Sequence, residues 1–149
     1  MKFRMLLSAL LLAVGLVSVA RGEEAKRSDT PTEVLIKFNK GINELDFASI
    51  ARLCDGTMKT EIEKTAKQFA ELKAAVDRGD AKAKQAYERL KDYFAKFKVE
   101  VKSEKIEGDF AVLDAVMSNP AKSREEKVHL KKVNGEWKCI DDEDYQPAK

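Results

Sequence analysis

The hydrophobic pattern of this chain changes period near Phe97, and that change limits the folds open to it. Before Phe97, apolar residues recur at steps of three and four, as on one face of a helix. After it they alternate, as on one face of a strand. Helices first and strands afterwards argue for an α+β fold, with helices segregated to one side of an antiparallel sheet.

The helical half carries its own punctuation. Thr30-Pro31-Thr32-Glu33 supplies an N-cap threonine, a proline at the first helical position and a glutamate placed to close a capping box. Val34, Leu35, Phe38, Ile42 and Leu45 then form one apolar stripe, with Gly41 a mild weakness inside it. Asp46 can cap a short second helix over 47–54, which Asp55-Gly56 ends. From 57 to 97 two further stripes follow, one through Met58, Ile62, Ala66, Phe69, Leu72 and Val76, the other through Ala83, Tyr87, Leu90, Phe94 and Phe97. Asp77-Arg78-Gly79-Asp80 separates them, which predicts a helical hairpin or a long helix broken near Gly79.

The strand half predicts four strands, over 98–106, 110–117, 127–133 and 136–140, with 119–124 a loop. Segment 110–117 is apolar on both faces except at Asp114, which suits a central strand. Asn134-Gly135 is the strongest short hairpin signal in the chain and fixes the pairing around it: Val133 with Glu136, Lys132 with Trp137, Leu130 with Cys139, His129 with Ile140. Val128, Leu130, Trp137 and Cys139 then share the core face, and Lys127, His129, Lys131 and Lys138 the opposite one.

Residues 1–20 read as a secretory leader. Lys2 and Arg4 precede an uncharged apolar run that closes on Ser18-Val19-Ala20, with cleavage expected after Ala20 or, second, after Gly22. The run is shorter than the ~20 residues of a spanning helix. No cysteine follows the cleavage site to take a lipid, so the product is expected in the periplasm or outside the cell, with no membrane attachment after cleavage. Loss of Lys2 and Arg4 leaves 26 basic against 26 acidic residues, so no global basic field draws in nucleic acid. The organisation expected is leader 1–20, flexible lead-in 21–29, one domain over 30–141 and a flexible tail over 142–149.

Taken in order, Thr30-Pro31-Thr32-Glu33-Val34, Leu45-Asp46-Phe47, Glu107-Gly108-Asp109 and Val133-Asn134-Gly135-Glu136-Trp137-Lys138 resemble small exported bacterial domains of unknown function in the nuclear transport factor 2-like superfamily, the cystatin-like α+β roll. The resemblance spans roughly 30–141. It implies a cone-shaped roll of about four curved strands around helices, often with an internal pocket and often a homodimer formed through the sheet. It implies no single function, because the superfamily holds isomerases, dehydratases and binding modules. Segment 57–97 is longer and more charged than the resemblance leads one to expect, and could cover or fill the pocket.

Few residues offer chemistry. Cys54 and Cys139 are both expected to face the core, and in an oxidising compartment they either join as a disulfide or stay as two buried thiols. The one histidine, His129, lies between Lys127 and Lys131, a poor place for a metal cation, and 141–144 lacks the glycine and ligand spacing of a calcium loop. No metal or cofactor is therefore implied. No G-x-S-x-G turn or glycine-rich phosphate loop occurs. Lys122, Arg124, Lys127, Lys131, Lys132 and Lys138 gather positive charge, diluted by Glu125, Glu126 and Glu136.

Two functions remain. The first is a non-enzymatic module that holds a small apolar ligand in a cone lined by Phe38, Tyr87 and Trp137, or a protein partner on its sheet. The alternative is a pocket isomerase or dehydratase with Asp114 as general base and Tyr87 or Tyr93 as hydrogen-bond donor, which the superfamily's enzymes suggest. Asp114 pointing outward, or a cone filled by side chains, would remove the alternative.

Overall fold

The structure, a computed structural model, describes residues 28–147. The expected leader and nearly all of the lead-in lie outside those residues. Four helices, α1 (Pro31–Glu44), α2 (Phe47–Arg52), α3 (Gly56–Asp77) and α4 (Ala81–Ala95), precede four strands, β1 (Lys98–Glu107), β2 (Phe110–Ser118), β3 (Ser123–Val133) and β4 (Glu136–Ile140). The strands form one antiparallel sheet in the order β1-β2-β3-β4, not closed into a barrel. The α+β class expected from the sequence is the one found.

The helix starts follow from local chemistry. Thr30 Oγ1 accepts from the Glu33 N–H at 3.2 Å, and the Thr30 N–H donates to Glu33 Oε2 at 2.7 Å, completing the capping box. Asp46 accepts from the Ser49 N–H at 3.0 Å to open α2, and Asp80 from Lys82 and Ala83 at 2.8 and 3.0 Å to open α4. The break at Gly79, with φ of 86°, turns α3 back into α4. Gly41 is more than a weakness in α1. A Cβ there would stand 2.6 Å from Ile50 Cγ1, so the glycine is what lets α2 lie close against α1.

The hairpin register is the one read from Asn134-Gly135, with both turn residues at positive φ, 51° and 83°. Two features of the strands differ from expectation. β3 starts at Ser123 rather than Lys127, because Asn119 Oδ1 accepts from the Ala121 and Lys122 N–H groups at 2.9 and 3.0 Å and folds a tight turn that already pairs Ser118 with Ser123. β1 carries a bulge between Val101 and Ser103. Val99 and Val101 face the helices before it, opposite Met117 and Ala115, whereas Glu104 and Ile106 do so after it, opposite Leu113 and Ala111. Glu104 thereby reaches α1, where its Oε2 accepts from the Thr32 N–H at 3.0 Å and the Thr32 hydroxyl at 2.5 Å.

Between sheet and helices lies a single core. Leu35 and Ile50 from the helices and Leu113 and Leu130 from the sheet are all 0% exposed, with Phe38, Phe47, Phe94, Phe97 and Trp137 packed around them. Side chains occupy the interior that the resemblance offered as a pocket.

The C-terminal segment, read from sequence as a flexible tail, is tied down over residues 142–145. A 3-10 turn, Asp142–Asp144, lets Asp144 Oδ2 accept from the Thr57 N–H at 3.0 Å, and places the Tyr145 ring parallel to His129 at 4.2 Å and edge-on to Phe110 at 5.5 Å. Asp144 serves the start of α3, where Asp55 stands at the cap position without a side-chain bond. The sequence could not signal this, because the pairing joins residues 87 positions apart.

Candidate functional site

Asp114 lies on the outer face of the sheet. Burial alternates along β2, with Leu113 and Ala115 inside and Asp114 outside, because the helices cover only one face. Lys127, directly opposite on β3, donates to Asp114 Oδ1 at 2.6 Å, and the Ser103 hydroxyl from β1 donates to Oδ2 at 2.6 Å. These bonds, that of Lys127 first, hold the Asp114 carboxyl below its ordinary range. A general base needs the opposite shift. Asp114 thus points outward and is paired with a lysine, the arrangement named above as removing its use as a pocket base.

Tyr87 and Tyr93 are not brought to Asp114. Tyr87 packs its ring on Phe69 at 5.5 Å within the α3–α4 hairpin, and Tyr93 Oη accepts from Asn119 Nδ2 at 3.0 Å. Phe38 and Trp137 are core residues, 4% and 7% exposed, and Lys132 Nζ sits 5.5 Å from the centre of the Trp137 ring. The expected ligand space lined by Phe38, Tyr87 and Trp137 is thus taken up by packing.

Room for a ligand exists instead at the surface. A cavity of about 360 Å³ opens around Asp114, Lys102, Glu125 and Lys127, where opposite charges already meet. A second, of about 170 Å³, lies where α4 runs into β1 and is lined by Tyr93, Phe97, Met117, Asn119, Lys122 and Arg124. Sequence reasoning grouped Lys122 and Arg124 with a diffuse basic surface. The Asn119-Pro120 turn was the available signal, since an early start to β3 sets Arg124 opposite Met117 on the helix-facing side.

Cys54 and Cys139 face each other. The Cys139 N–H donates to Leu53 O at 2.8 Å and the Asp55 N–H to Cys139 O at 2.9 Å, a parallel bridge with Cys54 directly beside Cys139. Both are buried free thiols. Burial pushes the Cys139 thiol up to about 12, and burial with the neighbouring Cys139 sulfur raises Cys54 as well.

His129 is 14% exposed at its side chain, less than a surface reading suggests, because Tyr145 covers it and Asp142 Oδ1 lies 2.9 Å from its Nδ1. Among the described residues no group of three His, Cys, Asp or Glu side chains is placed to hold a metal ion. Among the same residues no helix is long and apolar enough to cross a membrane.

No protein-family model and no curated protein matches the chain. Among solved structures it is similar to an NTF2-like protein of unknown function from Cytophaga hutchinsonii, with 12% sequence identity, a TM-score of 0.40, and coverage of 77% of this chain and 90% of that one.

Proposed function

We propose that this chain is an exported, non-enzymatic binding or interaction module of the periplasm or extracellular space. The observation that carries the reading is the pairing of Asp114 with Lys127 and Ser103 on the outer face, which leaves the one carboxylate of the enzyme alternative engaged and poorly basic. The filled core moves the expected ligand from the cone interior to the surface, so a small ligand or a protein partner meets the domain from outside. A homodimer through the sheet belongs to the same proposal, with Val112 and Val116 half-buried on the outer face of β2.

Delivery by the leader places the cysteines in an oxidising compartment, where their backbone adjacency favours a Cys54–Cys139 disulfide. The two thiols give up two electrons and two protons to a disulfide-bearing oxidant, which leaves as a dithiol. Because the folded thiols hold their protons tightly, the bond forms before the core closes.

Expression from the chain's own leader in a bacterial host with an outer membrane tests the proposal. The expected product is periplasmic, begins at Arg21 and is about 2 Da lighter than its reduced form, the mass of the two hydrogens lost. Native mass spectrometry of that fraction then reports a second copy or a retained ligand. A cytoplasmic product with residues 1–20 intact would overturn the export reading.

A further inference from the structure

We propose that β1 is a docking edge for a second copy of this chain, paired antiparallel so that the two sheets run on as one. This deepens the homodimer part of the interaction-module reading and rests on it, with the strand edge in place of the outer face as the contact. The two edges of the sheet differ. The segment at Cys54 covers β4 with two backbone bonds to Cys139, whereas β1 ends the strand order and pairs only with β2 among the described residues. The free side of this ten-residue strand carries unpaired N–H and C=O groups, a template for another strand. At its far end Ile106 stands 51% exposed.

The order of charges on the outer face selects the second copy. Lys98, Glu100, Ser103, Lys105 and Glu107 share that face, opposite Ser118, Val116, Asp114, Val112 and Phe110 of β2. A two-fold axis at Ser103 sets Lys98 against Glu107 of the second copy and Glu100 against its Lys105, so that each pair and its symmetry mate joins opposite charges. The bulge permits this. In a regular strand Glu100 and Lys105, an odd number of positions apart, would lie on opposite faces, and the extra residue at Lys102 brings them to the same one. A slip by one period of the pleat in either direction meets like charge, Lys98 against Lys105 or Glu100 against Glu107. Lys102 comes near its own copy at the axis, and its ammonium is drawn along the strand to Glu100. The ion pairs within each strand, Lys102 with Glu100 and Lys105 with Glu107, are exposed and cost little to share.

Sedimentation equilibrium of the purified, processed chain over a concentration series tests the edge by charge reversal. The unaltered chain is expected to dimerise. Glu100→Lys and Lys105→Glu are each expected to weaken the dimer about tenfold, since each sets like charges together on both sides of the axis. The double variant restores opposite charges and is expected to return to within about threefold of the unaltered chain. Both side chains are exposed, so the fold survives the changes. Amide hydrogen exchange should show protection that rises with concentration along 98–107 and not along β4. A monomer at every concentration, a dimer indifferent to the single variants, or a double variant no tighter than the singles would each overturn the proposal. A dimer lost on Val116→Lys but kept on Glu100→Lys overturns the edge alone and leaves the outer-face homodimer standing. An exported, processed monomer overturns the dimer and leaves the export reading intact, since export is read from the mature N-terminus.

Discussion

Cys54 and Cys139 lie side by side because the backbone on both flanks of Cys54 is bonded to Cys139: Leu53 O accepts its N–H at 2.8 Å and the Asp55 N–H donates to its carbonyl at 2.9 Å. The segment between α2 and α3 therefore runs as a short parallel partner along β4 and covers that edge of the sheet.

Oxidation of the pair should stabilise the domain markedly. The closed loop spans most of the domain, and the chain-entropy estimate for a loop of that length is about 4 to 5 kcal/mol, less any strain. Urea unfolding with and without reductant should show the reduced protein melting at clearly lower denaturant, and Cys54→Ala should make the midpoint insensitive to reductant. In the folded reduced protein, thiol reagents should react slowly at neutral pH, since both thiols are buried and hold their protons.

Gly41→Ala should destabilise the protein even though alanine is the better helix former by about 1 kcal/mol. The new methyl group would press on Ile50, which is fully buried and has nowhere to go. Overpacking of this kind costs about 1 to 3 kcal/mol. Combining it with Ile50→Ala, which removes the Cγ1 that the new methyl meets, should cost less than the sum of the two single changes, and a purely additive double variant would show that the contact is not the cause.

The docked C-terminal turn predicts a stability role for a residue outside the sheet. Asp144→Ala should cost about 1 kcal/mol, the usual value of a helix N-cap, because Thr57 loses its acceptor and Asp55 does not replace it. Gly56→Ala should cost more. Gly56 has φ of 59°, and a Cβ there would collide with the Asp144 carboxylate. Urea midpoints for the two variants, alone and together, would resolve the coupling.

Acid titration should separate carboxylates of opposite sign. Asp46, held below its ordinary value by its bonds with Ser49, and Asp114, held down by Lys127 and Ser103, each contribute stability above their unfolded value near 3.8 that fades as pH falls through the depressed one. Asp141 runs the other way: burial, then Asp144 and Asp142, raise it, so its charge opposes folding at neutral pH and the penalty lifts as pH falls through the raised value. Asp141→Asn should raise the urea midpoint at pH 7 and leave it unchanged at pH 3. Asp114→Asn should lower it slightly at pH 7 only, since the pair is exposed.

Local rules carried the fold a long way. The capping box at Thr30, the caps at Asp46 and Asp80, the break at Gly79 and the hairpin at Asn134-Gly135 act over a few residues, and each stands as read. What sequence hid were pairings set by packing: Glu104 on Thr32, Asp144 on Thr57, Tyr145 on His129, Gly41 against Ile50. The direction of Asp114 follows from strand alternation once it is known that only one face of β2 is covered, and composition does not say which. The cleft at Lys122 and Arg124 escaped because a side-chain turn at Asn119 starts β3 four residues early.

The extra residue in β1 divides that strand into two halves that obey opposite parity. Up to Val101 the odd-numbered positions are shielded, and from Glu104 the even-numbered ones face inward. A substitution scan along 98–107 should therefore find Val99 and Val101 the sensitive positions before the bulge and, after it, Glu104 through its bonds to Thr32, with exposed Ile106 tolerant. Deleting Lys102 would bring the strand back into a single phase with Ser103 still opposite Asp114 and Glu104 still opposite Leu113, on the side of α1.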